Sequence, residues 1–380
     1  MLKTIFLLFA FTILSAPAFS QENPYELPNG MFKPEFVMGH LQDIGATDKQ
    51  RQGIMQNMKE LQSNLSRLPE GSKKIQFIVS RVGRINSLLT NEQKKKLKAL
   101  ENAPRTPTLF GNPQRVTIEG YSDNSTMEPF ISRDGQYLFF NNSNERPGTN
   151  THVLYAKKVN DTTFELVRPV QGLDAGLIVP KLNSLVPSMD SNGNFYFSTT
   201  KSYEKDFKVI YQGVFKDGEV TGIAPVEGIS LKQRGWFTMD GEISADGNTL
   251  YYSDNKSGDT SHSTMKIASK NADGSFTPLA NSDDLLKTIN DGNYNYAPAT
   301  TKDGLELFFT RDLGGGIYVA KRSTTSEPFG PPELAISTAE GPVEAPSISD
   351  DGTYLYYVRK DRSDPDPHSR TIYVATRNTQ

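Results

Sequence analysis

Three carboxylates recur at related places in this chain and could share one site: Glu128, Asp240 and Glu344. Each belongs to a dipeptide just ahead of a proline position, namely Met127-Glu128, Met239-Asp240 and Glu344-Ala345. Two further dipeptides of the same kind, Leu185-Val186 and Tyr296-Ala297, are uncharged. Arg234 and Trp236 run up to the second acid, and Tyr294 and Asn295 run up to Tyr296. Acids beside aromatic rings suit a sugar, a cation or a basic peptide. A set of carboxylates could instead work on a glycosidic bond as acid and nucleophile. The candidate ligand-binding set is therefore Glu128, Arg234, Trp236, Asp240, Tyr294, Asn295, Tyr296 and Glu344, with no catalytic residue assigned.

Other chemistry finds little support. The chain has no cysteine, so disulfides and thiolate metal sites are excluded. Its four histidines are His40, His152, His262 and His368. The last three fall between corresponding strands of different repeats, but at unequal offsets, and no shared metal site is expected. "DSNGN" from Asp190 has a faint calcium-loop look without the glycine and the downstream acid such a loop requires. Nucleophile-elbow, zinc-helix and phosphate-loop patterns are absent. No basic and aromatic stripe suggests nucleic acid. Neither a metal nor a cofactor is expected.

What must position the acids is a repeat. "EPFISRDGQYLFF" from Glu128 returns as "VPSMDSNGNFYFS", "DGEISADGNTLYYS", "APATTKDGLELFFT" and "APSISDDGTYLYYV". The turn glycines are Gly135, Gly193, Gly247, Gly304 and Gly352. Asp-Gly and Asn-Gly supply a residue that tolerates positive φ in a tight turn. The aromatic and β-branched run after each turn reads as a buried strand. Each proline (Pro129, Pro187, Pro298, Pro346) should start a strand, because proline lacks the donor a strand interior needs. The third copy has Gly241 there. A third and a fourth strand follow in each copy, for example "IYVAKR" and "PFGPPELA", which makes four strands in about fifty residues, the content of a propeller blade. The last copy ends without its fourth strand, and "LFGNPQRV" from Leu109 matches the missing piece. Five copies with one strand permuted predict a mainly β fold, a five-bladed β-propeller over 104–380, closed by an N-terminal strand.

Residues 31–103 differ in kind and predict a small α-helical hairpin module. "TDKQ" from Thr47 and "TNEQ" from Thr90 are capping boxes. Ile54, Met58, Leu61, Leu65 and Leu68, then Ile75, Ile78, Val82, Ile85 and Leu89, recur at helical spacing. Charge divides along the same boundary. Residues 31–103 carry 13 Lys+Arg against 7 Asp+Glu, net +6, and 104–380 carry 27 against 35, net −8. Residues 1–20 read as a cleavable signal peptide, with Lys3, an apolar run from Ile5 to Leu14, and Ala18 and Ser20 before the cut. The run is too short to span a bilayer, and no later segment is long enough. The expected protein is periplasmic or secreted, without a transmembrane segment, and starts at Gln21.

The recurring "P-x-x-S-x-D-G-x-x-L-Y-Y" form resembles the WD40-like repeat of TolB-type β-propellers, over about Leu109 to Arg377. That resemblance implies the fold and leaves function open. "LLTNEQKKKLKAL" and "GATDKQRQGI" resemble the LTxxQ signature of Spy/CpxP-type periplasmic proteins, which implies a helical module that binds unfolded clients or answers envelope stress. The leading functional expectation is a non-catalytic propeller that recognises a protein or glycan of the envelope on its funnel face. The rivals are a glycan-active hydrolase of the five-bladed type, with Glu128, Asp240 and Glu344 as its carboxylates, and an envelope-stress chaperone acting through residues 31–103.

Overall fold

The computed structural model describes residues 31–41, 43–65, 72–102, 108–122, 125–142, 151–173, 183–200, 209–256, 259–291, 294–311, 315–361 and 369–378. The expected signal peptide, Leu68, His368 and part of the segment joining the helices to the strands lie outside these residues.

Four helices come first: α1 (Pro34–Gly39), α2 (Asp48–Leu65), α3 (Ser72–Ser87) and α4 (Asn91–Asn102). Both capping boxes form. The Thr47 N–H donates to Gln50 Oε1 at 2.9 Å, and Gln50 N–H to Thr47 Oγ1 at 3.3 Å. Thr90 and Gln93 repeat the exchange at 2.9 and 3.2 Å. The two glutamines also meet, Gln50 Nε2 lying 2.8 Å from Gln93 Oε1, so the helix starts are tied to each other. Ile54, Met58, Leu61, Ile78, Val82, Ile85 and Leu89 form the core of this unit, as their spacing predicts.

The remaining chain makes five antiparallel blades. β1 (Phe110–Arg115) belongs to the last of them. Blade one holds β2 (Thr117–Glu119), β3 (Met127–Ile131), β4 (Tyr137–Asn141), β5 (Val153–Asn160) and β6 (Thr163–Pro169). Blade two holds β7 (Asn183–Met189), β8 (Asn194–Thr200), β9 (Ile210–Lys216) and β10 (Glu219–Pro225). Blade three holds β11 (Trp236–Ile243), β12 (Thr249–Lys256), β13 (Asp259–Lys270) and β14 (Phe276–Pro278), with a one-turn helix α5 (Ser282–Leu285) after it. Blade four holds β15 (Asn295–Thr300), β16 (Glu306–Arg311), β17 (Gly316–Lys321) and β18 (Glu333–Ile336). Blade five holds β19 (Val343–Ile348), β20 (Tyr354–Arg359), β21 (Thr371–Arg377) and, as its outer strand, β1. Phe110 pairs with Arg377 and Arg115 with Tyr373, so the N-terminal strand closes the ring as the sequence predicts. One strand was not foreseen: β2 adds to blade one in parallel beside β6.

The aromatic runs have a repeated cause. In every second strand, a triplet is buried on both faces. Its outer residues pack on the preceding blade and its middle residue on the following one. Leu138 and Phe140 meet Tyr356 of blade five, whereas Phe139 meets Phe195 and Phe197 of blade two. Tyr196 then meets Leu250 and Tyr252, Tyr251 meets Leu307 and Phe309, and Phe308 meets Leu355 and Tyr357. A strand buried on both faces reads as a continuous apolar run instead of an alternation. Each middle tyrosine keeps its hydroxyl bonded: Tyr196 to Lys270 Nζ, Tyr251 to Arg322, and Tyr356 to the Asp161 carbonyl.

The S-x-D-G turns are also self-contained. Ser132 Oγ donates to Asp134 Oδ1 at 2.5 Å and accepts the Tyr137 N–H at 2.9 Å, and Ser244 and Ser349 do the same. The glycine that follows has φ between +68° and +84° in the five copies.

Deleting residues 21–103 should leave a cooperatively folding ring, since none of the described residues among them belongs to a blade. Deleting 21–118 removes β1, opens blade five and exposes a sheet edge. Circular dichroism melting should show a clear loss of cooperativity and melting temperature only in the second protein. Equal melts would contradict closure by β1.

Candidate functional site at the ring axis

The innermost strands β3, β7, β11, β15 and β19 pack on one another in sequence, and β19 returns to β3. Each carries a bulge at the same place. Met127 pairs with Asn141 but Phe130 with Phe139, so two inner-strand residues stand opposite one. The other four inner strands slip identically. The first bulged residue always has positive φ: Glu128 50°, Val186 54°, Asp240 56°, Ala297 50° and Ala345 52°. Such a conformation is disfavoured for any side chain, and most for β-branched Val186. The prolines therefore do not start strands, contrary to the sequence expectation. They sit inside the strands at the bulge, where the ladder asks for no donor. In blade three Gly241 takes the proline's place, and a Cβ there would lie 3.1 Å from the Ile210 side chain.

Three of the five amides at the bulges are caught across the blade boundary. Glu128 Oε2 accepts the Val186 N–H of the next blade at 2.9 Å. Asp240 Oδ2 accepts the Ala297 N–H at 3.4 Å, and Thr310 Oγ1 accepts the Ala345 N–H at 2.9 Å. Glu344 Oε2 takes the Tyr296 hydroxyl at 3.2 Å, and its Oε1 lies 3.7 Å from Arg370 Nε. Glu128, Asp240, Tyr296 and Glu344 thus line one axial cavity of about 50 Å³, together with Met127, Met239 and the bulge prolines. At about 10–15 Å³ per water, the innermost part of the cavity has room for a few waters or a small polar group.

Below the cavity lies a side chain that sequence reasoning missed. Arg133, only 4% exposed, comes from the blade-one turn and reaches every other blade. Its Nη2 donates to Glu242 Oε1 and to the Ile243 carbonyl, both at 2.7 Å. Its Nε reaches the Met189 carbonyl of blade two, and Nη1 the Thr300 carbonyl of blade four, each at 3.3 Å. Asp350 of blade five stands 3.7 Å from Nη1. Glu242 is satisfied on its other oxygen by Ser188 Oγ at 2.7 Å. The signal was in the repeats: Arg133 aligns with Ser191, Ala245, Lys302 and Asp350, and Glu242 with Phe130, Ser188, Ala299 and Ser347. A lone arginine and a lone glutamate at ring-inward positions are natural partners.

The rest of the sequence-derived set scatters. Asn295 is buried but turned to structure, donating to the Ile289 carbonyl at 2.6 Å and accepting from Arg311 Nε at 3.1 Å. Tyr294 bonds Asn255 at 3.0 Å and packs at a tilt against Tyr296 with ring centroids 5.7 Å apart. Trp236 opens β11 outside the cavity lining, and Arg234 is exposed in the preceding turn. Of the histidines, His40 packs on Phe36 beside Asp43, and the His152 backbone N–H bonds Asn142. Among the described residues no group of three His, Asp or Glu side chains is placed to hold a metal.

Asp240 is the electrostatic outlier. Burial pushes its pKa from 3.8 up to about 7; the Ala297 N–H opposes the rise and the Glu344 charge adds to it. Burial likewise raises Asp254, which lies behind it in β12 and accepts the Thr238 hydroxyl, to about 6.

Fold and site together define a five-bladed propeller with an acid-lined axial cavity closed beneath by an arginine. No family model matches the sequence, and no curated protein sequence matches it. Solved structures do share the fold. Zg3597, a family 117 glycoside hydrolase from Zobellia galactanivorans, is 11% identical with a TM-score of 0.51, covering 70% of this chain and 90% of its own. TolB from Acinetobacter baumannii is 14% identical with a TM-score of 0.37, over 66% of this chain and 54% of its own, so the chain spans about half of that protein. An alpha-L-arabinofuranosidase from Lactobacillus brevis is 15% identical with a TM-score of 0.43, over 68% and 92%. At these identities the likeness is one of fold.

An acid whose pKa rises on folding binds its proton more tightly in the native state. Asp240 therefore lowers stability as pH climbs from 3.8 through about 7, by roughly 4 kcal/mol at about 1.4 kcal/mol per unit. Asp240→Asn keeps an acceptor for the Ala297 N–H and removes the titration. Urea unfolding at pH 5 and pH 8 should show native protein losing stability at the higher pH, and the variant losing clearly less. Parallel profiles would refute a strongly raised Asp240.

Proposed function

We propose that this protein is a non-catalytic binding propeller of the periplasm or exterior, which recognises a protein or glycan partner by taking a cationic group at the axial mouth. One observation carries the reading. Asp240 and Glu344 are both buried and line the same axial cavity, and the charge of Glu344 helps hold the Asp240 proton. A positive group entering there would replace that proton and find acceptors already oriented. A lysine ammonium or the amine of an amino sugar matches the cavity in size and charge. The absence of a helix long and apolar enough to cross a membrane, among the described residues, accords with an exported chain.

The glycosidase rival asks more of the same carboxylates. Two of them, Glu128 and Asp240, are engaged with backbone amides of the next blade.

Calorimetric titration with tetralysine, and with arabino-oligosaccharide as the neutral control, tests the reading. Tetralysine should bind the native protein. Glu128→Gln, Asp240→Asn and Glu344→Gln together should weaken it at least tenfold without a loss of fold by circular dichroism. Unchanged affinity would remove the axial mouth from consideration. Hydrolysis of an arabinofuranoside that the triple variant abolishes would establish the enzyme instead.

A further inference from the structure

Helix α4 carries a charge pattern that neither the ring nor the helical core uses. Its inner side is fixed by Leu97, which is fully buried, by Gln93, held at Gln50, and by half-buried Leu100. At 100° per residue, Lys94, Lys95, Lys96 and Lys98 fan across the remaining side. Lys95, Lys96 and Lys98 are exposed and Lys94 half-buried. Among the described residues, none of Lys94, Lys95 and Lys96 pairs with a carboxylate. Beside them, Glu92 is the acidic residue of the first turn.

We infer that the solvent face of α4 is a docking surface for anionic phospholipid headgroups. Its positive charges are all lysine, with exposed Glu92 between Lys95 and Lys96 and without arginine, so it offers point charges and no planar forks for bidentate recognition. It holds no aromatic or large apolar side chain, so it lacks the anchors a protein interface concentrates and the platforms a nucleic acid needs. A surface of many equivalent negative headgroups requires only clustered positive charge. Charge along the chain supports the same geometry. The helical segment is net +6 and the strand segment net −8, so an anionic surface would attract the helices and repel the ring. The inference is independent of the axial reading. Its access to membrane surfaces rests on export.

The full mature chain would be floated with vesicles of phosphatidylcholine, alone or mixed with phosphatidylglycerol, at low and high salt. Binding to the mixed vesicles alone, lost in high salt and not competed by inorganic phosphate at matched ionic strength, is expected. Lys94→Gln, Lys95→Gln and Lys96→Gln together should weaken it roughly a hundredfold, at about fivefold per lysine near the surface. The corresponding arginine variant should bind as the native protein does, and Asp240→Asn should leave binding unchanged. Equal flotation with both vesicles, or a glutamine variant that binds like the native protein, would overturn the inference. Retention on polyglutamate without vesicle binding would overturn it in favour of an acidic protein partner.

Discussion

A guanidinium placed on the axis of a ring has to find acceptors in every direction, and Arg133 does. It is bonded to carbonyls of blades two, three and four and to Glu242, and it approaches Asp350 of blade five. Out of water, that charge is tolerable because Glu242 and three carbonyls accept from it. The same requirement fixes the inner strands, since a shift of any one would strand an acceptor or the arginine itself. Closure is thus enforced twice. At the rim, β1 zips onto β21, and at the axis one side chain from the blade-one turn bonds the inner strands of blades two, three and four. The axial cavity is small because its floor is this filled contact, with Glu242 shared between them.

Above the clasp, backbone strain and side-chain chemistry are linked. Five bulged residues in the left-handed region each carry a penalty of order 1–3 kcal/mol. Capture of freed amides by the preceding blade offsets part of it, and Glu128 and Asp240 are two of the captors. The acids at the mouth are therefore architectural first. That role buries Asp240 beside Glu344 and gives the cavity its electrostatic character. Because all five copies share the bulge, the strain belongs to the scaffold; the particular residues at the bulge give the mouth its identity.

Much of the fold was legible because it is repeated. The aromatic triplets, the S-x-D-G turns and the permuted strand at Leu109 recur in register, and both capping boxes close as their residues dictate. β2 was not legible: Thr117–Glu119 is three residues long, pairs in parallel and has no counterpart in the other copies. The prolines were misread because proline at a bulge and proline at a strand start look alike in sequence. The acids were legible as neighbours, since Glu128 and Asp240 share one repeat position and Glu344 takes the position before it. Trp236, Arg234 and Asn295 were not separable from it, because adjacency along a strand says nothing about which face a side chain takes. Arg133 and Glu242 stand out only when the copies are stacked column by column.

The ring depends on the axial clasp, and a double-mutant cycle on Arg133 and Glu242 tests that dependence most directly. Urea unfolding of Arg133→Met should show a loss of about 3–5 kcal/mol, because Glu242 is left charged and unpaired in the core. Adding Glu242→Gln to that variant should recover part of the loss, so the double variant is more stable than the sum of the single losses predicts. An Arg133→Met loss below about 1 kcal/mol, or strict additivity of the two substitutions, would show that the ring does not depend on this contact.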